Sequence, residues 1–101
     1  MSKIINRGPV YSLYVGSRDG YAFSDGDRLE MTNLVTTMFE SFTVLDADGF
    51  YQGRSVATLV IKIATDNDEI IIELAHQLGR KLNQQFIGLE ASGKYQSIPT
   101  G

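Results

Sequence analysis

Residues 45–63 read LDADGFYQGRSVATLVIKI, and this stretch decides the fold. In its second half, Leu59, Ile61 and Ile63 line one face of a predicted β-strand and alternate with Thr58, Val60 and Lys62 on the other face, a period-2 pattern. The first half reads as another strand, with a β-bulge expected at the Asp-Gly pair of positions 48–49. Because only a few residues separate the two strands, we expect them to form an antiparallel hairpin.

An amphipathic helix is predicted on each side of this hairpin. Before it, Ser24 and Asp27 resemble a capping box, and apolar residues then recur every three or four positions. That first stripe consists of Met31, Leu34, Val35, Met38, Phe39 and Phe42. The second helix is expected to begin at Thr65 or Asp66. Its stripe consists of Ile71, Leu74, Ala75, Leu78, Leu82 and Phe86.

A further strand is predicted near each end of the chain. In VYSLYVG (10–16), Tyr11, Leu13 and Val15 share one side of a strand. In IGLEASGKYQSI (87–98), the alternation indicates a last strand that is broken at positions 92–93. The tail after Pro99 is expected to be loose.

The element order is therefore β-α-β-β-α-β, an α+β class. Right-handed crossovers place both helices on one face of the sheet, so the order predicts a ferredoxin-like sandwich with a four-stranded antiparallel sheet. Residues 1–101 form one domain with an ordered core at about 9–98. The other face of the sheet is open, and we expect it to carry Ser12, Tyr14, Val44, Thr58, Val60, Lys62 and Glu90.

Composition and charge restrict the function classes. Nine Lys and Arg against twelve Asp and Glu give a net charge of -3, which argues against general nucleic-acid binding. The absence of cysteine excludes disulfides and thiolate chemistry. No apolar run approaches the roughly 20 residues that a membrane span requires. We therefore expect a cytoplasmic protein that does not bind membranes.

Two loop motifs resemble ligand sites but are better explained by structure. Asp46, Asp48 and Gly49 resemble the start of a calcium-binding EF-hand loop, yet Tyr51 stands where that loop needs Gly and Ala57 where it needs Glu. The sequence GSRDGYAFSDGD (16–27) resembles a phosphate loop, but it lacks G-K-[ST] and is acidic. We predict no metal and no cofactor.

Catalytic groups are not indicated by any motif. The only histidine, His76, lies beside charged residues on the polar side of the second helix, as a surface residue does. Asp46 and Glu90 are both candidates to reach the open sheet face, but no Ser-His-Asp arrangement or nucleophile elbow appears. The sequence predicts no catalytic residue and favours a protein that is not an enzyme.

An aromatic and arginine cluster is the best candidate for a site. Tyr14, Arg18 and Tyr21 lie at the end of the first strand and in its loop, while Tyr51 and Arg54 lie in the hairpin beside Phe50. Tyrosine rings stack on a base or ring and arginine binds an anion in bidentate fashion, so these five are the predicted ligand-binding residues for a small anionic or aromatic ligand. The same residue types are enriched at subunit interfaces, and we favour a subunit interface over ligand binding for this cluster.

The chain also resembles a group of small uncharacterised bacterial proteins. The likeness covers residues 11–98 and lies in YSLYVG, in FTVLDADGFYQGR leading into ATLVIKI, and in DNDEIIIELAHQLGRKLNQQF. In that group a strand, a helix, a "TVLDA-G-W-GR"-like hairpin and a buried strand follow in this order. The resemblance implies a ferredoxin-like fold and no particular activity. The strand order is more distantly similar to that of PII-type and CutA-type trimers.

Three functions remain open from the sequence. The first is a non-enzymatic homo-oligomer that binds a partner or small ligand through the open face and hairpin tip. For this oligomer we favour a dimer over a higher-order ring. The second is a sensor or sequestering protein for a nucleotide-like molecule, as in a regulator or a mobile-element accessory protein. The third is a small enzyme with carboxylate and tyrosine groups in a cleft between subunits.

Overall fold

The structure, a computed structural model, describes residues 3–17 and 19–101. Within these residues the chain forms five strands and two helices. They are β1 (Val10–Gly16), α1 (Asp25–Met38), β2 (Thr43–Tyr51), β3 (Arg54–Ala64), α2 (Asp68–Lys81), β4 (Phe86–Ala91) and β5 (Lys94–Pro99). Neither helix is long and apolar enough to cross a membrane.

The sheet differs from the predicted one. All five described strands join in one antiparallel sheet in the order β2-β3-β1-β4-β5, so the predicted four-stranded ferredoxin-like sandwich is wrong. Positions 92–93 are a turn and not a break in one strand, because the chain reverses there and returns beside β4 as β5. Ser92 (φ 53°) and Gly93 (φ 76°) both have the positive φ that a two-residue type I′ hairpin requires.

The central hairpin of β2 and β3 is confirmed. Its register runs without interruption from the Thr43–Lys62 pair to the Tyr51–Arg54 pair, and the turn again has two residues with positive φ. The predicted bulge at 48–49 is wrong. Gly49 is explained by a close side-chain approach, because a Cβ there would lie 2.7 Å from Thr58 Oγ1.

The hydrophobic core lies between the helices and one face of the sheet. Strand residues such as Leu13, Ile61 and Ile87 pack against Val35 of α1 and Leu74 of α2, and all are fully buried. Both helices therefore cover the same face of the sheet, and the opposite face is left without a helix.

The helices begin with side-chain caps. Ser24 Oγ accepts a hydrogen bond from the Asp27 backbone N–H at 3.0 Å, as the sequence predicts for α1. For α2 the cap is Asn67, whose Oδ1 accepts from the Ile70 N–H at 3.2 Å, later than the predicted Thr65 or Asp66. Phe86, predicted to belong to the apolar stripe of α2, lies on β4 and is exposed.

The C-terminal residues, expected to be loose, pack against the end of α2. The Thr100 N–H donates to the Gln85 carbonyl at 2.8 Å, and Thr100 Oγ1 donates to the Gln84 carbonyl at 2.7 Å. The Thr100 side chain occupies the space where a Cβ on Gly79 would lie. This contact explains the glycine near the C-terminal end of an otherwise regular helix.

Candidate functional site on the open sheet face

The sheet face without helices, called here the open face, is arranged in rows that cross the strands. In one row Ser12 of β1 pairs with Lys62 of β3 on one side and with Glu90 of β4 on the other, and Glu90 pairs with Tyr95 of β5. The next row contains Leu45, Val60, Tyr14, Gly88 and Ser97. The two rows place acidic, basic, hydroxyl and aromatic groups side by side.

One residue of the predicted open face is misplaced. Val44 pairs with Ile61, which is buried in the core, so Val44 faces the helices and its neighbour Leu45 takes the open side. Asp46 likewise faces the helix layer, where its carboxylate forms an ion pair with Arg28 of α1. The expectation that Asp46 reaches the open face is therefore wrong, whereas Glu90 does lie there.

The central contact of the open face joins Tyr14 to Glu90. The Tyr14 hydroxyl donates a hydrogen bond to Glu90 Oε1 at 2.7 Å. This bond raises the pKa of the Tyr14 phenol above its ordinary value, and burial and the negative charge of Glu90 raise it further. Tyr14 is therefore a protonated hydrogen-bond donor at neutral pH, not a base.

Tyr95 forms an aromatic pair with Tyr14. Its ring lies edge-on to that of Tyr14, with centroids 5.6 Å apart and an interplanar angle of 61°. Gly88 makes the arrangement possible, because a Cβ at Gly88 would overlap the Tyr95 hydroxyl group. Sequence reasoning missed Tyr95 because it did not find β5. The Ser-Gly pair between two alternating segments was the signal available for it.

Ser12 lies on β1 two residues before Tyr14, and Lys62 pairs with it from β3, on the side of β1 away from Glu90. The Lys62 ammonium donates to Ser12 Oγ at 3.2 Å, and Ser12 is only 4% exposed. Among the described residues, no carboxylate pairs with Lys62 and no cation pairs with Glu90. The open face thus carries two opposite charges for which the described residues provide no ion-pair partner.

The predicted aromatic and arginine cluster is spread along the molecule. Tyr51 and Arg54 flank the β2–β3 turn and are exposed. Tyr14 pairs with Val60, six residues along β3 from Arg54, which separates the two groups by about 20 Å. Tyr21 is 77% exposed in the loop after β1, and that loop contacts β3 through a hydrogen bond from the Ala57 N–H to the Gly20 carbonyl.

Within that cluster, Tyr51 and Arg54 are neighbours, whereas Tyr14 is distant from both. Tyr21 lies toward the hairpin end of β3, whereas Tyr14 lies in the middle of the open face. Arg18 lies outside the described residues. That all five residues bind one ligand remains a prediction.

A metal site and a ligand cavity are the two other kinds of site considered for the described residues. Within residues 3–17 and 19–101, no group of three or more His, Asp or Glu side chains lies together to hold a metal ion. A half-open cavity of about 690 Å³ lies beside the open face, at the end of the sheet where β1 and β2 begin. Its lining includes Arg7, Val10, Phe39, Phe42, Thr43 and Lys62. Lys62 therefore borders both the cavity and the open face.

Comparison with known proteins gives one likeness of fold. No family model matches the sequence, and no curated protein matches it. Among solved structures, a phage SAM lyase in its apo state is similar, with a TM-score of 0.57 and 15% sequence identity. The similarity covers 98% of this chain and 94% of that chain. At this identity the likeness shows a shared small α+β fold.

Proposed function

We propose that this protein binds a small ligand with a positive centre and an aromatic ring on its open face, and that S-adenosylmethionine (SAM) is that ligand. The observation that carries the proposal is the Tyr14–Glu90 hydrogen bond together with the Tyr95 ring, which contacts Tyr14 edge-on. It places a negative charge that has no cationic partner among the described residues next to two aromatic side chains, on the face opposite both helices.

The chemistry of these groups favours a cation. The Glu90 carboxylate has no cationic partner among the described residues, so a ligand's positive centre gains attraction there without breaking an ion pair. Tyrosine faces also attract cations within about 6 Å of the ring centroid. A flat heteroaromatic ring can stack on the same side chains.

SAM combines both features, a sulfonium cation and an adenine ring. The similar solved structure is that of a SAM lyase, which supports the choice of ligand and extends the proposal to SAM cleavage. Because fold is a poor guide to function, binding of a cationic ligand is argued from the side chains, and the likeness contributes the choice of SAM and its cleavage.

Calorimetric titration of the full chain with SAM and with S-adenosylhomocysteine tests the proposal. The second compound is the neutral thioether, so it lacks only the methyl group and the positive charge. We expect SAM to bind at least about tenfold more tightly, and Glu90→Gln to remove that preference. Glu30→Gln, which removes an exposed carboxylate from α1, should bind like the wild type.

Equal affinity for the two compounds, or no binding of SAM, contradicts the proposal. Chromatography of SAM incubated with the protein measures cleavage separately. If SAM binds but no cleavage product forms, SAM is supported as the ligand and the lyase activity is contradicted.

A second candidate is the non-enzymatic binding module, a homo-oligomer that buries the open face. The observation in its favour is that Leu45 (44% exposed), Phe86 (57%) and Tyr95 (63%) all lie on this face. Apolar area of this kind, framed by polar groups, is typical of an interface. A dimer remains the simplest oligomer, since one face then covers the same face of a second copy.

A further inference from the structure

We propose that Lys62 and Ser12 bind the carboxylate of the ligand, so that the open face recognises a zwitterionic derivative of an α-amino acid. This inference rests on the proposed function, because it assigns the second half of the same site. Glu90 and the two tyrosines bind the positive centre, and Lys62 with Ser12, which lies one strand away from Glu90, binds the negative group.

Lys62 and Ser12 offer two hydrogen-bond donors at one point. The Lys62 ammonium has three N–H groups, of which one is directed at Ser12 Oγ at 3.2 Å. The Ser12 hydroxyl accepts this bond, and its own O–H has no acceptor among the described residues. A carboxylate above Ser12 can accept from both groups, and such charge-assisted bonds are about twice as strong as neutral ones.

The positions of the two charges fit a zwitterion. Ser12 and Glu90 are register partners on adjacent strands, which lie about 4.8 Å apart. Since the Lys62 ammonium reaches Ser12, its positive charge lies about one strand spacing from the strand of Glu90. The carboxylate and the cationic centre of one small molecule span that distance.

The absence of an internal ion pair supports a ligand role. Lys62 and Glu90 lie two strands apart on the same face, yet no ion pair joins them in the described chain. The lysine donates to a neutral hydroxyl and the glutamate accepts from a neutral phenol. Both charges therefore remain available to a molecule that lies across Ser12 and Tyr14.

Lys62 is also reachable from solvent. Its side chain is exposed, and it borders the half-open cavity at the end of the sheet. Ser12 is buried beneath it and held in the strand register, so it offers a fixed position for its hydroxyl group.

Calorimetric titration with SAM and with decarboxylated SAM tests the assignment on the full chain. The two ligands share the sulfonium, the adenine and the amine, and they differ in the carboxylate. We expect the wild type to prefer SAM by about tenfold to a hundredfold, and Lys62→Met to lower the affinity for SAM by the same factor while leaving decarboxylated SAM unchanged. Ser12→Ala should weaken SAM binding by a few fold.

Lys81→Met is the matched control, because it removes the same charge from an exposed position on α2 and should bind both ligands like the wild type. If the wild type binds neither ligand, the proposed function and this inference both fail. If the wild type binds both equally, or if Lys62→Met weakens both equally, the proposed function stands and the carboxylate assignment fails.

Discussion

At the scale of single residues, the Tyr14–Glu90 contact has a direct consequence for ionisation. The hydrogen bond to Glu90 raises the pKa of the Tyr14 phenol, so the folded protein holds this proton more tightly than the unfolded chain, where a tyrosine ionises near pH 10. The stability from this contact is therefore fully present below about pH 10 and is lost as the pH rises through the raised pKa of Tyr14.

Ultraviolet titration of tyrosinate measures this effect. An ionisation step above the ordinary tyrosine range should be absent in Tyr14→Phe and still present in Tyr21→Phe, which also removes one phenol. Glu90→Gln should move that step to lower pH, because it removes the negative charge beside the phenol. An unchanged high-pH step in Tyr14→Phe would show that Tyr14 is not the shifted residue.

Residue-level prediction of the site succeeded where only strand alternation was needed. Alternation within β1, β3 and β4 places Ser12, Tyr14, Lys62 and Glu90 on the open face, as the sequence predicted. It failed for Val44, because a one-residue error in register moves a strand's side chains to the other face. The link between Lys62 and Ser12 depends on which strands are neighbours, and the pattern of one strand does not contain that information.

At the scale of elements, the difference between prediction and structure lies in β5. The local signals for a broken strand and for a tight hairpin are the same, a short polar pair with glycine between alternating segments. Pairing with β4, in the register Glu90 with Tyr95, decides between them, and this is a contact between segments. The β2–β3 hairpin was predictable because its apolar alternation is stronger.

The turn before β5 predicts that one substitution, Gly93→Ala, lowers the free energy of unfolding. Gly93 has φ 76° and no atom near the position of a Cβ, so Gly93→Ala should cost about 1–2 kcal/mol through the backbone alone. Gly26→Ala is the matched control, since it lies in α1 without a positive φ and should stabilise by up to about 1 kcal/mol. Urea unfolding of both variants gives the two values, and equal effects would contradict a left-handed turn at Gly93.

At the scale of the whole molecule, the second candidate function, a homo-oligomer that buries the open face in place of a bound ligand, predicts self-association. A dimer that covers this face should have twice the 11.2 kDa chain mass in light scattering. Leu45→Glu places a charge on the open face and should return the monomer mass, because burying an unpaired charge is costly. Leu29→Glu makes the same change at an exposed position of α1 and should leave the mass as in the wild type. A wild-type monomer at high concentration would rule out the dimer.

The contact between the C-terminus and α2 links distant parts of the chain and makes the effect of Gly79→Ala depend on Thr100. In an isolated helix, alanine is more favourable than glycine by about 1 kcal/mol. In this protein a Cβ at Gly79 overlaps the Thr100 side chain, so Gly79→Ala must displace the end of the chain and lose the hydrogen bonds of Thr100 to Gln84 and Gln85. We therefore expect Gly79→Ala to destabilise the wild type.

In a Thr100→Gly background, Gly79→Ala should stabilise the protein instead of destabilising it. The Thr100→Gly change removes the overlapping atoms, so adding Gly79→Ala to it should raise the free energy of unfolding by up to about 1 kcal/mol. Urea unfolding of the two single variants and the double variant forms a double-mutant cycle, whose interaction energy measures the contact. Gly26→Ala should have the same effect in the wild type and in the Thr100→Gly variant, because it lies in the other helix. If Gly79→Ala has one and the same effect in both backgrounds, the chain end does not pack on α2 in solution, and Gly79 needs another explanation.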